Sequence, residues 1–194
     1  MTAARTRKAR ALDRLRPDEA TNVLRSLLEQ HPELNVEAED LACAAVNDVD
    51  VEAIADDVEQ EVLALDIDDL GARAGCKSWG YVEPTEAAWE MLDEAIDPFL
   101  NEMSRQIELG FQASAVATCQ GIVLGLYRCR GKSSDQILGW AEDFPAETAG
   151  HAAATLARES TARHRCTWQL SHDFVDQVPE WREMLERAAR GDRW

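Results

Sequence analysis

The chain has 194 residues, with 37 aspartates and glutamates against 20 lysines and arginines, for a formal charge of −17. Its 45% apolar share is too rich for a disordered chain, and no apolar run approaches the roughly 18 residues of a membrane span. So acidic a balance argues against adhesion to DNA, RNA or anionic lipid, and the length favours one domain or at most two small ones.

Residues 1–16 read as a basic arm, with Arg5, Arg7, Lys8, Arg10, Arg14 and Arg16 against the single acid Asp13. The arm lacks the apolar stretch of a secretory signal. Its simplest role is a solvated end that folds back on an acidic body, the alternative being a local docking point for a partner or nucleic acid. Residues 17–194 read as one all-α domain. Within it we expect an acidic helical lobe over 17–75, a connector over 76–84, and central and C-terminal helices over 85–194.

Pro17 suits a first helical turn, and Asp18 and Glu19 complement the positive end of the helix dipole. Ala20, Val23, Leu24, Leu27 and Leu28 then share a face until His31-Pro32 stops the run. A second stripe is Ala38, Leu41, Ala42, Ala45, Val46 and Val49, and a third is Val51, Ile54, Ala55, Val58, Val62 and Leu65. From Glu37 to Leu70 there is no basic residue. These helices must therefore show one apolar side and one strongly negative side. Asp66 to Gly71 resembles a calcium loop at first sight, but Leu70 and Lys77 occupy positions that need oxygen ligands, which favours helix capping instead.

Gly71, Gly75 and Gly80 bracket a break, and the residues from Trp79 to Pro84 read as an ordered connector. Thr85 is placed to cap a long helix whose seam is Ala88, Met91, Leu92, Ala95, Ile96, Phe99, Met103 and Ile107. Pro98 lies within it, which predicts a kink or a break. Gly110 ends it. The segment Ala113 to Tyr127 is apolar nearly all round, as a helix surrounded by others must be. Its Gly121 and Gly125 leave a flat strip where another backbone can approach closely, and packing within the domain is favoured over a membrane dimer face.

Ser133 or Ser134 can cap a short helix with Ile137, Leu138 and Ala141. Phe144-Pro145 then leads into an Ala-rich helix with Ala149, Ala152, Ala153 and Leu156 inward. The last helix carries Phe174, Val178, Trp181, Leu185 and Ala188 on one face, with Pro179 at its true start. No run alternates β-branched residues, so strands are essentially absent. The fold class is all-α: an irregular helical bundle, or a short α-solenoid of the HEAT or TPR kind, of roughly seven to nine helices.

Five segments together resemble an uncharacterised all-α region of bacterial and archaeal proteins often found beside SWIM-type zinc fingers. They are Ala64 to Leu70, Arg73-Ala74-Gly75, Trp79 to Ala88, Asp97 to Leu100 and Gly121 to Tyr127. Asp143 to Glu147 and Leu15 to Leu34 are similar to it too. The resemblance implies a helical-repeat-like body and no established activity. The finger's C-x-C is absent here, so the finger's contacts do not carry over.

Candidate chemistry follows from the charged rows. Glu83, Glu86, Glu90, Asp93 and Asp97 recur three and four residues apart down one helical face. Such rows hold magnesium in some all-α nucleotide pyrophosphatases, but a second carboxylate helix must face the first. Asp56, Asp57, Glu59 and Glu61 do not share a face cleanly enough to supply it. His151, His164, Cys166, His172 and Asp173 form a second candidate cluster, with spacing that fits no standard zinc finger. Gly131-Lys132-Ser133 lacks the rest of a phosphate loop. Cys43, Cys76, Cys119, Cys129 and Cys166 are odd in number and show no C-x-x-C, which favours reduced thiols in a cytoplasm.

The reading that results is a non-catalytic interaction or scaffold module presenting an acidic surface to a protein partner, for which a basic one is the complement. It expects no cofactor, no membrane, little affinity for nucleic acid, and an option of self-association through Trp168, Trp181 and Trp194. The partner site is expected at Trp79, Tyr81, Glu83, Glu86 and Trp89, where the rings either pin the connector or rim a groove. The alternative is a metal-dependent hydrolase of phosphorylated or nucleotide substrates, with Glu86, Glu90, Asp93 and Asp97 as metal ligands.

Overall fold

The structure is a computed structural model, which describes residues 12, 14–78, 80–132, 137–164 and 171–190. The chain divides into two compact units, Met1–Ala45 and Val46–Trp194. As the sequence pattern requires, it is all-α: nine α-helices and three short 3-10 turns stand among the described residues, beside one small hairpin.

The first unit holds α1 (Pro17–Gln30), a 3-10 turn (Pro32–Leu34) and all but the last two residues of α2 (Asn35–Asn47). Pro17 opens α1, and the Glu19 carboxylate accepts hydrogen bonds from the Arg16 backbone N–H and guanidinium, each at 3.0 Å. That pairing draws the Glu19 pKa below the usual glutamate range. The expected apolar face of α1 finds no interior: Val23, Leu24 and Leu27 are exposed, as are Val36 and Leu41. A unit this small has too little volume to enclose both stripes.

The second unit holds α3 (Val51–Leu63), α4 (Ile67–Arg73), β1 (Gly75–Lys77), β2 (Gly80–Val82), α5 (Pro84–Leu109), α6 (Gln112–Cys129), α7 (Phe144–His164), α8 (His172–Val175) and α9 (Arg182–Ala189). The 3-10 turns Ile137–Trp140 and Pro179–Trp181 lead into α7 and α9. Asp50 and Asp66 cap α3 and α4 through backbone N–H groups at 3.0 and 2.9 Å. Asp66 thus takes the capping role expected of it. In β1 and β2 the pairing is antiparallel, Gly75 with Val82 and Lys77 with Gly80. The hairpin departs from the strandless expectation. Gly75, at a φ of 89° that other residues avoid, opens β1 where the chain leaves α4.

The long helix differs from expectation in two ways. Glu83 rather than Thr85 is its N-cap, since Pro84 is already its first residue. Pro98 does not break it: α5 runs unbroken from Pro84 to Leu109 with Pro98 exposed, where the lost amide hydrogen bond is at the water side. Gly110, at φ 86°, closes the helix in the left-handed conformation.

The core forms around α6, which packs against α3, α5 and α7. Ile122, Val123 and Leu126 of α6 are fully enclosed, together with Leu92, Ile96, Met103 and Ile107 of α5 and Ala149, Ala152, Ala153 and Leu156 of α7. On the remaining side lies α3, over the two glycines. A Cβ on Gly121 would stand 2.6 Å from the Ile54 side chain, and one on Gly125 would stand 2.6 Å from the Ala55 carbonyl oxygen and 2.7 Å from Val58. The acidic helix α3 therefore belongs with the helices that follow the connector. Phe174, Val178, Trp181, Leu185 and Ala188 are all buried, and Trp181 meets Tyr127 edge to face at 5.1 Å.

Two Gly→Ala substitutions should have opposite signs. Gly71 of α4 has open space where a Cβ would go, so Gly71→Ala should stabilise by about 0.5–1 kcal/mol through helix propensity. Gly125→Ala gains the same propensity but drives a methyl into backbone, and overpacking of about 1–3 kcal/mol or more outweighs it. Denaturant unfolding of the two variants checks this. A Gly125→Ala chain as stable as the parent would remove the close seat of α3.

Candidate functional site

The inward seam of α5 runs through Ala88, Leu92, Ile96 and Met103, which leaves its carboxylate row on the outer flank. Glu83, Glu86, Glu90, Asp93 and Asp97 are all exposed. The row divides at Trp89. Beyond it, Asp93 and Asp97 line a cleft of about 470 Å³ whose other wall is α7, with Glu147, Thr148 and His151. The carboxylates of α5 thus share a cleft with Glu147 and His151 of another helix. Neither Glu86 nor Glu90 lines the cleft.

Local packing sets the cleft walls. Trp89 is half-buried and meets the enclosed Phe144 ring at 5.0 Å and 71°, an edge contact that fixes the indole at one end. Leu100 lies at the other end. On α7 the seam of Ala149, Ala152 and Ala153 turns Glu147 and His151 outward, and Nε2 of His151 lies 3.5 Å from the Thr155 hydroxyl. Burial pushes the Asp93 carboxyl above the usual aspartate range and the charge of Asp97 pushes the same way, while His151 opposes both. Among the described residues no three His, Cys, Asp or Glu side chains are grouped as a metal site would require.

The other candidate residues lie apart from this cleft. Tyr81 is 60% exposed, so its ring does not pin the connector, and Trp79 falls outside the described residues. Asp56 and Glu59 are structural partners: Arg128 of α6 donates to Asp56 at 2.7 Å and to Glu52, and Lys132 pairs with Glu59. Arg130 takes Glu180 at 2.8 Å and stacks over Tyr127. Gly131-Lys132 is thus committed to the fold. The side chains of His164, Cys166 and His172 lie outside the described residues. Cys119 and Cys129 are buried, and burial pushes each thiol up to about 12. Neither is an activated nucleophile.

Sequence reasoning brought Asp93 and Asp97 forward but missed Glu147 and Thr148. Glu147 and His151, four apart at the start of an Ala-rich helix, were the available signal. No family model, curated protein or solved structure matches the chain.

Two measurements follow. Because folding raises the Asp93 pKa, the native chain holds a proton that the unfolded chain has released. Stability therefore falls as pH climbs from the ordinary aspartate value of about 3.9 through the raised one. Asp93→Asn should melt above the parent at neutral pH, with the gap closing toward about pH 4. A gap that does not depend on pH would refute the assignment. In thiol labelling, exposed Cys76 should react in the native chain, and Cys119 and Cys129 only on unfolding.

Proposed function

We propose that the chain is a non-catalytic interaction module whose second unit presents an acidic helical surface to a basic protein partner. The observation that carries this reading is how the charge of α3 is distributed. Its inner face is seated on Gly121 and Gly125, and Glu52, Asp56 and Glu59 along one flank are neutralised by Arg128 and Lys132. Asp57 and Glu61 are exposed, one turn apart, with no ion pair among the described residues. Like charges at that spacing cost a few tenths of a kcal/mol, roughly, and the fold leaves them uncompensated. A basic partner would relieve this repulsion and be steered by the field.

Tyr81, Glu83 and Glu86, all exposed beside the hairpin, are the second part of the proposed surface, with Trp89 behind them on α5. A cytoplasmic setting agrees with the free thiol of exposed Cys76. No helix among the described residues is long and apolar enough to cross a membrane.

The test uses the immobilised chain and a lysine-rich peptide as probe. Binding should weaken steeply between about 0.01 M and 1 M salt, where the Debye length shrinks from about 30 Å to 3 Å. It should also weaken when Asp57 and Glu61 are both changed to Lys. Binding that ignores salt, or that survives the double reversal, would defeat the proposal.

A further inference from the structure

The cleft between α5 and α7 has a chemistry that the acidic surface of α3 lacks. Its floor and walls are set on two rigid helices. Asp93 and Asp97 stand one turn apart on α5, Glu147 and His151 stand one turn apart on α7, and Trp89 closes one end. From Trp89 to Leu100 the cleft follows α5 for about 16 Å, at 1.5 Å of rise per residue. Between the acids sits Thr148, which is only 7% exposed and whose hydroxyl makes no hydrogen bond among the described residues. Its oxygen is reached from the cleft rather than sealed in the core, so a bound N–H can take the place of water there.

An anion is excluded from such a wall by the three carboxylates. A bare metal ion would need donors grouped closely around one point, and the described residues show no such group. What fits is an elongated cation that carries its charge on an apolar stem. Carboxylates and the hydroxyl would accept from its N–H groups, while the indole faces the stem or the charge. Like-charge repulsion between Asp93 and Asp97 would be relieved by the same group.

We propose that this cleft binds an organic cation, an alkylammonium or guanidinium group, held by Asp93, Asp97 and Glu147 with Thr148 as a further acceptor and Trp89 as the apolar wall. The chemistry can come from a free amine or from a lysine or arginine side chain of a protein. The site does not depend on the surface proposed for α3.

Calorimetric titration at about 0.15 M salt, where the Debye length is about 8 Å, separates the site from general attraction to an acidic chain. The probes are spermidine for a free amine, Nα-acetyl-lysinamide and Nα-acetyl-argininamide for a side chain, and magnesium alone. At least one organic probe should bind saturably, one to one. Asp93→Asn with Asp97→Asn should weaken it at least tenfold, and Thr148→Val roughly threefold to tenfold, the loss of one hydrogen bond. Asp57→Lys with Glu61→Lys, which removes more charge elsewhere, should change it less than twofold. Tighter spermidine assigns a free amine, and a tighter capped amino acid assigns a protein side chain. Three results would overturn the proposal: no saturable heat from any organic probe, equal weakening by the α3 and α5 variants, or one-to-one magnesium binding at the Asp93–Asp97 pair in preference to the amines.

Discussion

The contact on which the second unit depends is the approach of α3 to α6 where α6 has no side chains at two positions. Gly121 and Gly125 remove two Cβ atoms on one face of an otherwise apolar helix, and Ile54, Ala55 and Val58 fill the space that results. The gain is dispersion and exclusion of water over a close seat. The cost is about 1 kcal/mol of helix propensity for each glycine. Ala55 and Val58 thereby come fully inside while exposed acids of α3 such as Asp57 and Glu61 stay in water.

Ion pairs then line one flank of that seat. Arg128 reaches both Glu52 and Asp56, and Lys132 reaches Glu59, so the basic end of α6 runs along one flank of α3. Exposed ion pairs of this sort contribute about 0–1 kcal/mol each. Their effect is positional: they choose which acids are spent on the fold and which, such as Asp57 and Glu61, are left facing water. Arg73 does similar work between α4 and α5, donating to both oxygens of Glu94 at 2.9 and 2.8 Å.

Much of this was legible in the residues themselves. The 3.6-residue period located the helices, the all-round apolarity of residues 113–127 marked the central one, and the glycine spacing announced a backbone approach. Other features depended on information that local pattern does not carry. The leucines of α1 have the spacing of a buried stripe, but burial needs a partner face. Pro98 reads as a breaker until its water-facing position is known. The hairpin of residues 75–82 has two strands of only three residues each, too short for alternation to announce. The cleft was half visible: Asp93 and Asp97 belong to a regular row, whereas Glu147, Thr148 and His151 lie some fifty residues on, and only the packing of α7 on α5 brings the two sets together.

The left-handed Gly110 has a bearing on how the chain assembles. It turns α5 back onto α6 through a connection of two residues, so these helices meet with almost no loop to close, and Thr118 donates to Gln106 across the turn at 2.8 Å. The seat of α3, by contrast, joins Val58 to Gly125 and must close everything between. Loop entropy therefore makes the helical hairpin the natural nucleus and the acidic helix the late arrival. An acidic helix is thus seated only after the hairpin that receives it has formed.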